Sequence, residues 1–191
     1  MLKLNETFPD SFEYNGKIYA LDLCFDNVLD MFEAFHEHGL DIEERVLSAL
    51  SLLIGVVETD KLSISQQFEL LFLIMDKFFK GKERPVPYDV LGNPMINKKT
   101  EADFSLEYDA EYIYVSFMQA YQIDLHKEFG KMHWNKFMVL LNNLPPDSKL
   151  NRIREIRNWE PSGDETSEEK RKMAELQELY ALPEQREGDE D

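Results

Sequence analysis

The chain has 191 residues, 43% of them hydrophobic, with 13 Phe and 8 Tyr. That is enough apolar material to bury a core, and it excludes disorder over the whole length. The single cysteine, Cys24, excludes an internal disulfide framework, and a formal charge of −17 argues against a nucleic-acid partner, because acidic ends repel a phosphate backbone.

The charge is unevenly divided. Residues 1–60 hold 13 acidic and 3 basic side chains, and residues 160–191 hold 12 and 4. Residues 126–158 carry seven Lys/Arg against three Asp/Glu, which reads either as a dock for an acidic partner or as a solvated helix face. The opening MLKLNETFPD has neither a charged n-region nor an apolar h-region, and the longest apolar runs, such as Leu70–Met75, fall far short of a bilayer span. The expectation is a cytoplasmic protein with no membrane partner.

Asn15-Gly16 predicts a two-residue hairpin turn, since both turn positions need φ > 0. Pairing Tyr14 with Lys17 sets Phe12 opposite Tyr19. Phe12, Tyr14, Tyr19, Leu21 and Leu23 then share one face, with Glu13, Ala20 and Asp22 on the other. A lone hairpin is marginal in water, so the apolar face has to rest on helices.

Three helices are predicted next. Asp26 caps the first, with Val28, Phe32 and Phe35 inward and Gly39 ending it. Asp41 and Glu44 make a capping-box pattern for the second, whose stripe is Val46, Ala49, Leu50, Leu53 and Ile54. Ser63 or Ser65 starts the third, with Phe68, Leu71, Phe72, Met75, Phe78 and Phe79 inward and Gly81 at its end. Pro85, Pro87, Gly92 and Pro94 then mark residues 81–104 as a linker or long loop.

A helix follows over about 109–122, with Ile113, Phe117 and Tyr121 repeating every four residues. Asp124 caps a short turn ending at Gly130. A helix over about 133–143 turns Phe137, Leu140, Leu141 and Leu144 inward until Pro145-Pro146 stops it. Asp147 or Ser148 caps the next, with Leu150, Ile153 and Ile156 inward and Arg152, Arg154 and Arg157 outward. A last amphipathic helix covers about 167–181, and the acidic end EQREGDED is expected to be disordered.

No chemistry stands out. His36 and His38 are two apart and do not share a helix face. His126 and His133 are seven apart with Gly130 between them, and no Cys or carboxylate pair adds metal-ligand spacing. His133 beside Trp134 reads as a packing or hydrogen-bonding pair at a helix start. Cys24 reads as an inert buried thiol, and Asp109 as a helix cap. There is no Gly-rich phosphate loop, nucleophile elbow or Asp-rich calcium loop. The expectation is no enzyme, no metal and no cofactor.

The aromatic stripe Tyr108, Tyr112, Tyr114, Phe117 and Tyr121 has two readings. As core it fills a helical interface; as surface it supplies the rigid amphipathic anchors of interface hot spots. Tyr108, Tyr112, Tyr114 and Tyr121, with Trp134 and with Met173, Leu176 and Tyr180 of the last helix, are the candidate partner-binding residues.

Several phrases carry a likeness. They are Tyr14-Asn15-Gly16-Lys17 with Tyr19, then Tyr108-Asp109-Ala110-x-Tyr112-Ile113-Tyr114, Ser116-Phe117, Ile123-Asp124-Leu125, His133-Trp134-x-x-Phe137, and finally Lys170 to Met173 with Leu179-Tyr180-Ala181-Leu182-Pro183. Their order and spacing resemble the bacteriophage gene product 15 family of long-tailed phages and prophages of Gram-positive bacteria. The resemblance implies a non-enzymatic tail assembly chaperone, acting in the host bacterial cytoplasm, that binds the tape measure protein during tail morphogenesis. The tail tube protein and a second copy of the chain are further candidate partners. Helix-in-groove binding with Leu176 and Tyr180 as anchors is a workable mode. The competing readings are a structural component retained in the phage tail and, more remotely, an acidic DNA-mimic inhibitor.

The expected architecture is mainly α: an N-terminal β-hairpin, about six or seven helices and an acidic C-terminal tail. The expected segments are 1–80 (hairpin plus three helices), 81–104 (linker), 105–159 (the helical block with the diagnostic phrases) and 160–191 (acidic tail with one amphipathic helix).

Overall fold

A computed structural model describes residues 4–80 and 103–183. The chain is mainly α, with a two-stranded hairpin followed by eight α-helices among the described residues. The expected linker at 81–104, but for its last two residues, lies outside the described residues, as does the acidic end from Glu184. Contacts group residues 4–80 with 126–139 in one compact unit and 103–125 with 140–183 in a second, so the block 105–159 is shared between them.

The first unit opens with β1 (Ser11–Tyr14) and β2 (Lys17–Ala20), paired antiparallel with Tyr14 opposite Lys17 and Phe12 opposite Tyr19. Asn15 and Gly16 take φ of 50 and 75, as the turn requires. Tyr14, Tyr19, Leu21 and Leu23 are buried, while Glu13, Ala20 and Asp22 face out.

Helix α1 (Phe25–His36) buries Phe25, Val28 and Met31. Asp26 is not its cap. Cys24 holds that position without a side-chain bond, and the Asp26 carboxylate, one residue into the first turn, accepts the Gly130 amide at 3.0 Å on each oxygen. The helix also ends at His36, before Gly39. Helix α2 (Ile42–Ile54) matches its expected pattern. The Glu44 amide donates to Asp41 at 2.9 Å, the Asp41 amide donates to Glu44 at 3.0 Å, and all five stripe residues are buried.

After the short α3 (Val56–Thr59), helix α4 (Ile64–Ile74) starts at a second capping box, Ser63 with Gln66. Its inward face differs from the expected one. Gln67, Leu70, Leu71 and Ile74 are buried, while Phe68 and Phe72 are exposed, Phe72 by 69%. The run is apolar on more than one face, and the face spaced i, i+3, i+4, i+7 from Gln67 is the one that packs. A π-helical turn, Met75–Phe79, then changes the register.

After a 3-10 turn (Leu125–Glu128), α6 (Trp134–Asn142) begins in this unit. The Trp134 amide donates to the Leu23 carbonyl at 2.7 Å and the Phe25 amide to the Met132 carbonyl at 2.9 Å. An aromatic core forms there: Phe137 stacks on Phe25 at 5.0 Å and on Trp134 at 5.6 Å, with Phe32 and Phe79 against Trp134 at 5.8 and 6.1 Å.

The second unit is built on α5 (Ala110–Tyr121), α7 (Lys149–Arg157) and α8 (Ser167–Tyr180). Helix α5 buries Ile113, Ser116 and Phe117 and ends at Gln122 in the left-handed region, φ 56. Helix α7 is capped by Ser148, whose Oγ accepts the Asn151 amide, and buries Leu150 and Ile153. Helix α8 starts at a third capping box, Thr166 with Glu169, lies against α7, and has no fully buried residue.

Candidate partner-binding site

A polar frame positions this site. Arg157, the last residue of α7, continues the inward row Leu150, Ile153, Arg157 and is only 5% exposed; its partner Asp109 is 1% exposed. Arg157 Nη1 and Nη2 donate to the two Asp109 carboxylate oxygens at 2.7 Å each. Asp109 also accepts the Ser105 amide at 2.9 Å. Asp109 holds the expected N-cap position of α5 but makes no side-chain cap bond there. The expectation for Arg157 is corrected: it points inward, because a bidentate pair satisfies both charges once they leave water. Arg154 is likewise engaged, its Nε donating to Asp103 at 2.9 Å, while Arg152 stays exposed.

Ser116 ties α5 to α7. Its hydroxyl donates to the Tyr112 carbonyl at 2.7 Å and accepts the Leu150 amide at 3.0 Å. That amide lies in the first turn of α7, where it has no partner within the helix.

The aromatic candidates divide by location. Tyr108 is 58% exposed. Tyr112 and Tyr180 meet edge to face at 6.1 Å, and the Lys149 ammonium lies over both rings, at 5.6 and 5.3 Å. The Tyr114 hydroxyl donates to Asp124 at 3.1 Å. The Tyr121 hydroxyl lies 2.9 Å from both the Leu140 and Asn143 carbonyls, and burial raises its pKa. Met173 is half-buried and Leu176 is exposed. Trp134 is buried in the aromatic core of the first unit, which leaves its ring no surface to offer. The structure therefore brings Tyr112 and Tyr180 together and sets Trp134 apart.

Three participants escape sequence reasoning. Lys149 is one cation of a basic stretch, with nothing in its spacing to single it out. Gln177 donates to the Trp159 carbonyl at 2.9 Å, and Arg157 Nε donates to the Tyr180 carbonyl at 2.6 Å, so both hold α8 in place. The spacing of Arg157 from Leu150 and Ile153 is the one signal that could have found it.

Towards the far end of α5, Gln119 and Ala120 line a cleft of 490 Å³ together with Pro145, Asp147, Ser148, Lys149 and Arg152. Lys149 borders this cleft as well as the α8 contact. Helix α8 thus lies on α7 and reaches the α5–α7 seam through the Tyr180 ring at Tyr112 and Lys149, and the cleft opens on the other side of Lys149.

The reactive groups sit elsewhere. Burial and a hydrogen bond with Asp22 push the Cys24 thiol up to about 11, where it is a poor nucleophile at neutral pH. His133 Nδ1 accepts the Asn135 amide at 3.0 Å and so caps α6; its Nε2 faces the Pro9 carbonyl at 3.3 Å, and the ring stacks on Phe8 at 4.9 Å. The expected role at a helix start is what the geometry shows. Among the described residues no His, Cys, Asp or Glu cluster could hold a metal ion, and no helix is long and apolar enough to cross a membrane.

The fold and the site define a class: a small, mainly helical protein whose notable surface is aromatic, cationic and helix-lined. The sequence model of the bacteriophage Gp15 protein family matches residues 4–182, and the chain belongs to that family. This makes it a bacteriophage protein of a structural, tail-related kind. No curated protein and no solved structure matches the chain.

Proposed function

We infer that the chain is a tail assembly chaperone, a non-enzymatic protein that binds the tape measure protein and keeps it soluble in the host cytoplasm until the tail tube forms around it. One observation carries the reading within the family frame. The second unit already holds an amphipathic helix on an aromatic and cationic seam, through Tyr112, Lys149 and Arg157. A tape measure is a long helical chain with apolar stripes, and the same seam chemistry suits segments of that kind. The charge of −17 favours solubility of a complex loaded with apolar helices.

Co-expression with the tape measure protein, then affinity purification and light scattering, tests this. The expected result is a soluble complex with several copies of this chain per tape measure. An insoluble tape measure, with this chain eluting alone, would rule the reading out. Mass spectrometry of purified virions tests its second half: a chaperone is absent at stoichiometric level, whereas a retained structural component is present.

A further inference from the structure

The hydrogen bonds and ring contacts that tie helix α8 to the rest of the unit lie near its C-terminal end, with half-buried Met173 as the apolar contact further in. The first turns of the helix are supported from within: the Thr166–Glu169 capping box, a Lys172–Glu168 pair at 2.8 Å and an Arg171–Glu175 pair at 3.5 Å all lie inside the helix. Near the C-terminal end, Gln177 and the Tyr180 carbonyl bond to groups of the α7 end and the Tyr180 ring meets Tyr112 and Lys149. The connection before it is a self-contained turn. The Ser162 amide and hydroxyl and the Gly163 amide donate to Glu165 at 2.7–3.0 Å and hold its carboxyl down at about 2, with Gly163 at φ 108. Arg157 holds Asp109 through Nη1 and Nη2 and the Tyr180 carbonyl through Nε, so the ion pair and the α8 contact use different donors.

We propose that the α5–α7 seam is a docking groove for a partner's amphipathic helix that carries an aromatic residue, and that α8 is its displaceable internal occupant. The identity of the occupant is argued from what lies there now. Helix α8 is nearly balanced in charge, with Glu168, Glu169, Glu175 and Glu178 against Lys170, Arg171 and Lys172, and it reaches the seam through an aromatic ring set over Lys149 and against Tyr112. A partner helix with an aromatic residue in the place of Tyr180 reproduces the contact with Tyr112 and Lys149 and extends into the cleft. Such a partner meets an intramolecular competitor, so it binds in proportion to the fraction of chains whose α8 is released. The role of the seam in tail assembly rests on the chaperone reading; its capacity to exchange helices does not.

The probe is a fluorescein-labelled peptide of residues 164–183, titrated into the full-length chain. In a second full-length chain, Met173→Ser, Gln177→Ala and Tyr180→Ala weaken the chain's own α8. The altered chain is expected to bind the peptide at least about tenfold more tightly than the unaltered chain. Adding Tyr112→Ala is expected to abolish that gain. Equal affinity for both chains, or a gain that survives Tyr112→Ala, overturns the proposal. Hydrogen exchange on the unaltered chain gives a check free of folding defects. The amides of α8 are expected to exchange together, about a hundredfold faster than those of α5 and α7; equal protection overturns the displaceable role of α8. If the peptide exchanges but the tape measure stays insoluble, the seam stands and the chaperone reading falls. If a soluble tape measure complex forms while α8 stays rigid and the peptide does not bind, the chaperone reading stands and the seam falls.

Discussion

The two units differ in what their interiors bury. The first has an aromatic and aliphatic interior around Phe25, Trp134 and Phe137, and its buried polar side chains, Thr59 and Gln67, are neutral and bonded to nearby backbone carbonyls. The second carries a charged pair and a buried hydroxyl inside: Asp109 with Arg157 joins α5 to α7, and Ser116 satisfies the start of α7. Apolar packing tolerates approximate shape, so many sequences could form the first core. A buried ion pair tolerates no missing partner, so the second unit is specified by a few residues far apart in sequence. Asp109 and Ser116 both belong to the phrases that carry the family likeness, which gives those phrases an architectural role.

The largest effect should come from breaking the pair. Arg157→Met leaves Asp109 buried and unpaired and is expected to destabilise the second unit by about 3–5 kcal/mol, read by urea denaturation of the full chain. Asp109→Leu with Arg157→Met should cost clearly less than Arg157→Met alone. Additive costs would show that the two side chains act independently. Phe137→Ala should cost about 3–5 kcal/mol in the first unit, since the ring is buried between Phe25 and Trp134.

Ser116→Ala is smaller in volume but strands the Leu150 amide, with an expected loss of about 1–3 kcal/mol. A cost near zero would mean the α7 start finds another acceptor.

The first unit should show a pH signature of its own. Burial lowers the His133 pKa below the ordinary 6.5, with the Pro9 carbonyl and Asp10 opposing that shift. The folded state therefore favours the neutral ring whose Nδ1 caps α6. Its contribution is full above 6.5 and is lost as pH falls through the lower folded value. His133→Asn keeps a capping acceptor without a titrating group, so its melting temperature should fall less over that range. Parallel curves for the two proteins would contradict this. The smallest effect is expected at Phe72→Ala, within about 0.5 kcal/mol, because that ring is exposed.

The same contrast explains what is legible in the sequence. The hairpin register follows from Asn15-Gly16, and the five buried residues of α2 follow from a clean helical period behind a capping box. Helix α4 defeats the period because Phe68, Leu70, Leu71, Phe72 and Ile74 leave no single apolar face, and the burial of Gln67 decides against the face with more rings. In the second unit, periodicity counts an arginine as outward and cannot see an aspartate 48 residues away. Tyr112 and Tyr180 both stand out in the sequence, but their meeting, and Lys149 over them, needs the fold. Trp134 turns out to be core rather than surface, because an aromatic next to a helix start has the same sequence pattern in either place.

Hydrogen exchange on the chain alone and on its co-purified complex with the tape measure protein would test the central claim most directly. The account predicts a soluble complex in which amides of α5 and α7 gain protection while those of α8 lose it. A complex with unchanged exchange across residues 103–183, or no complex at all, would contradict it.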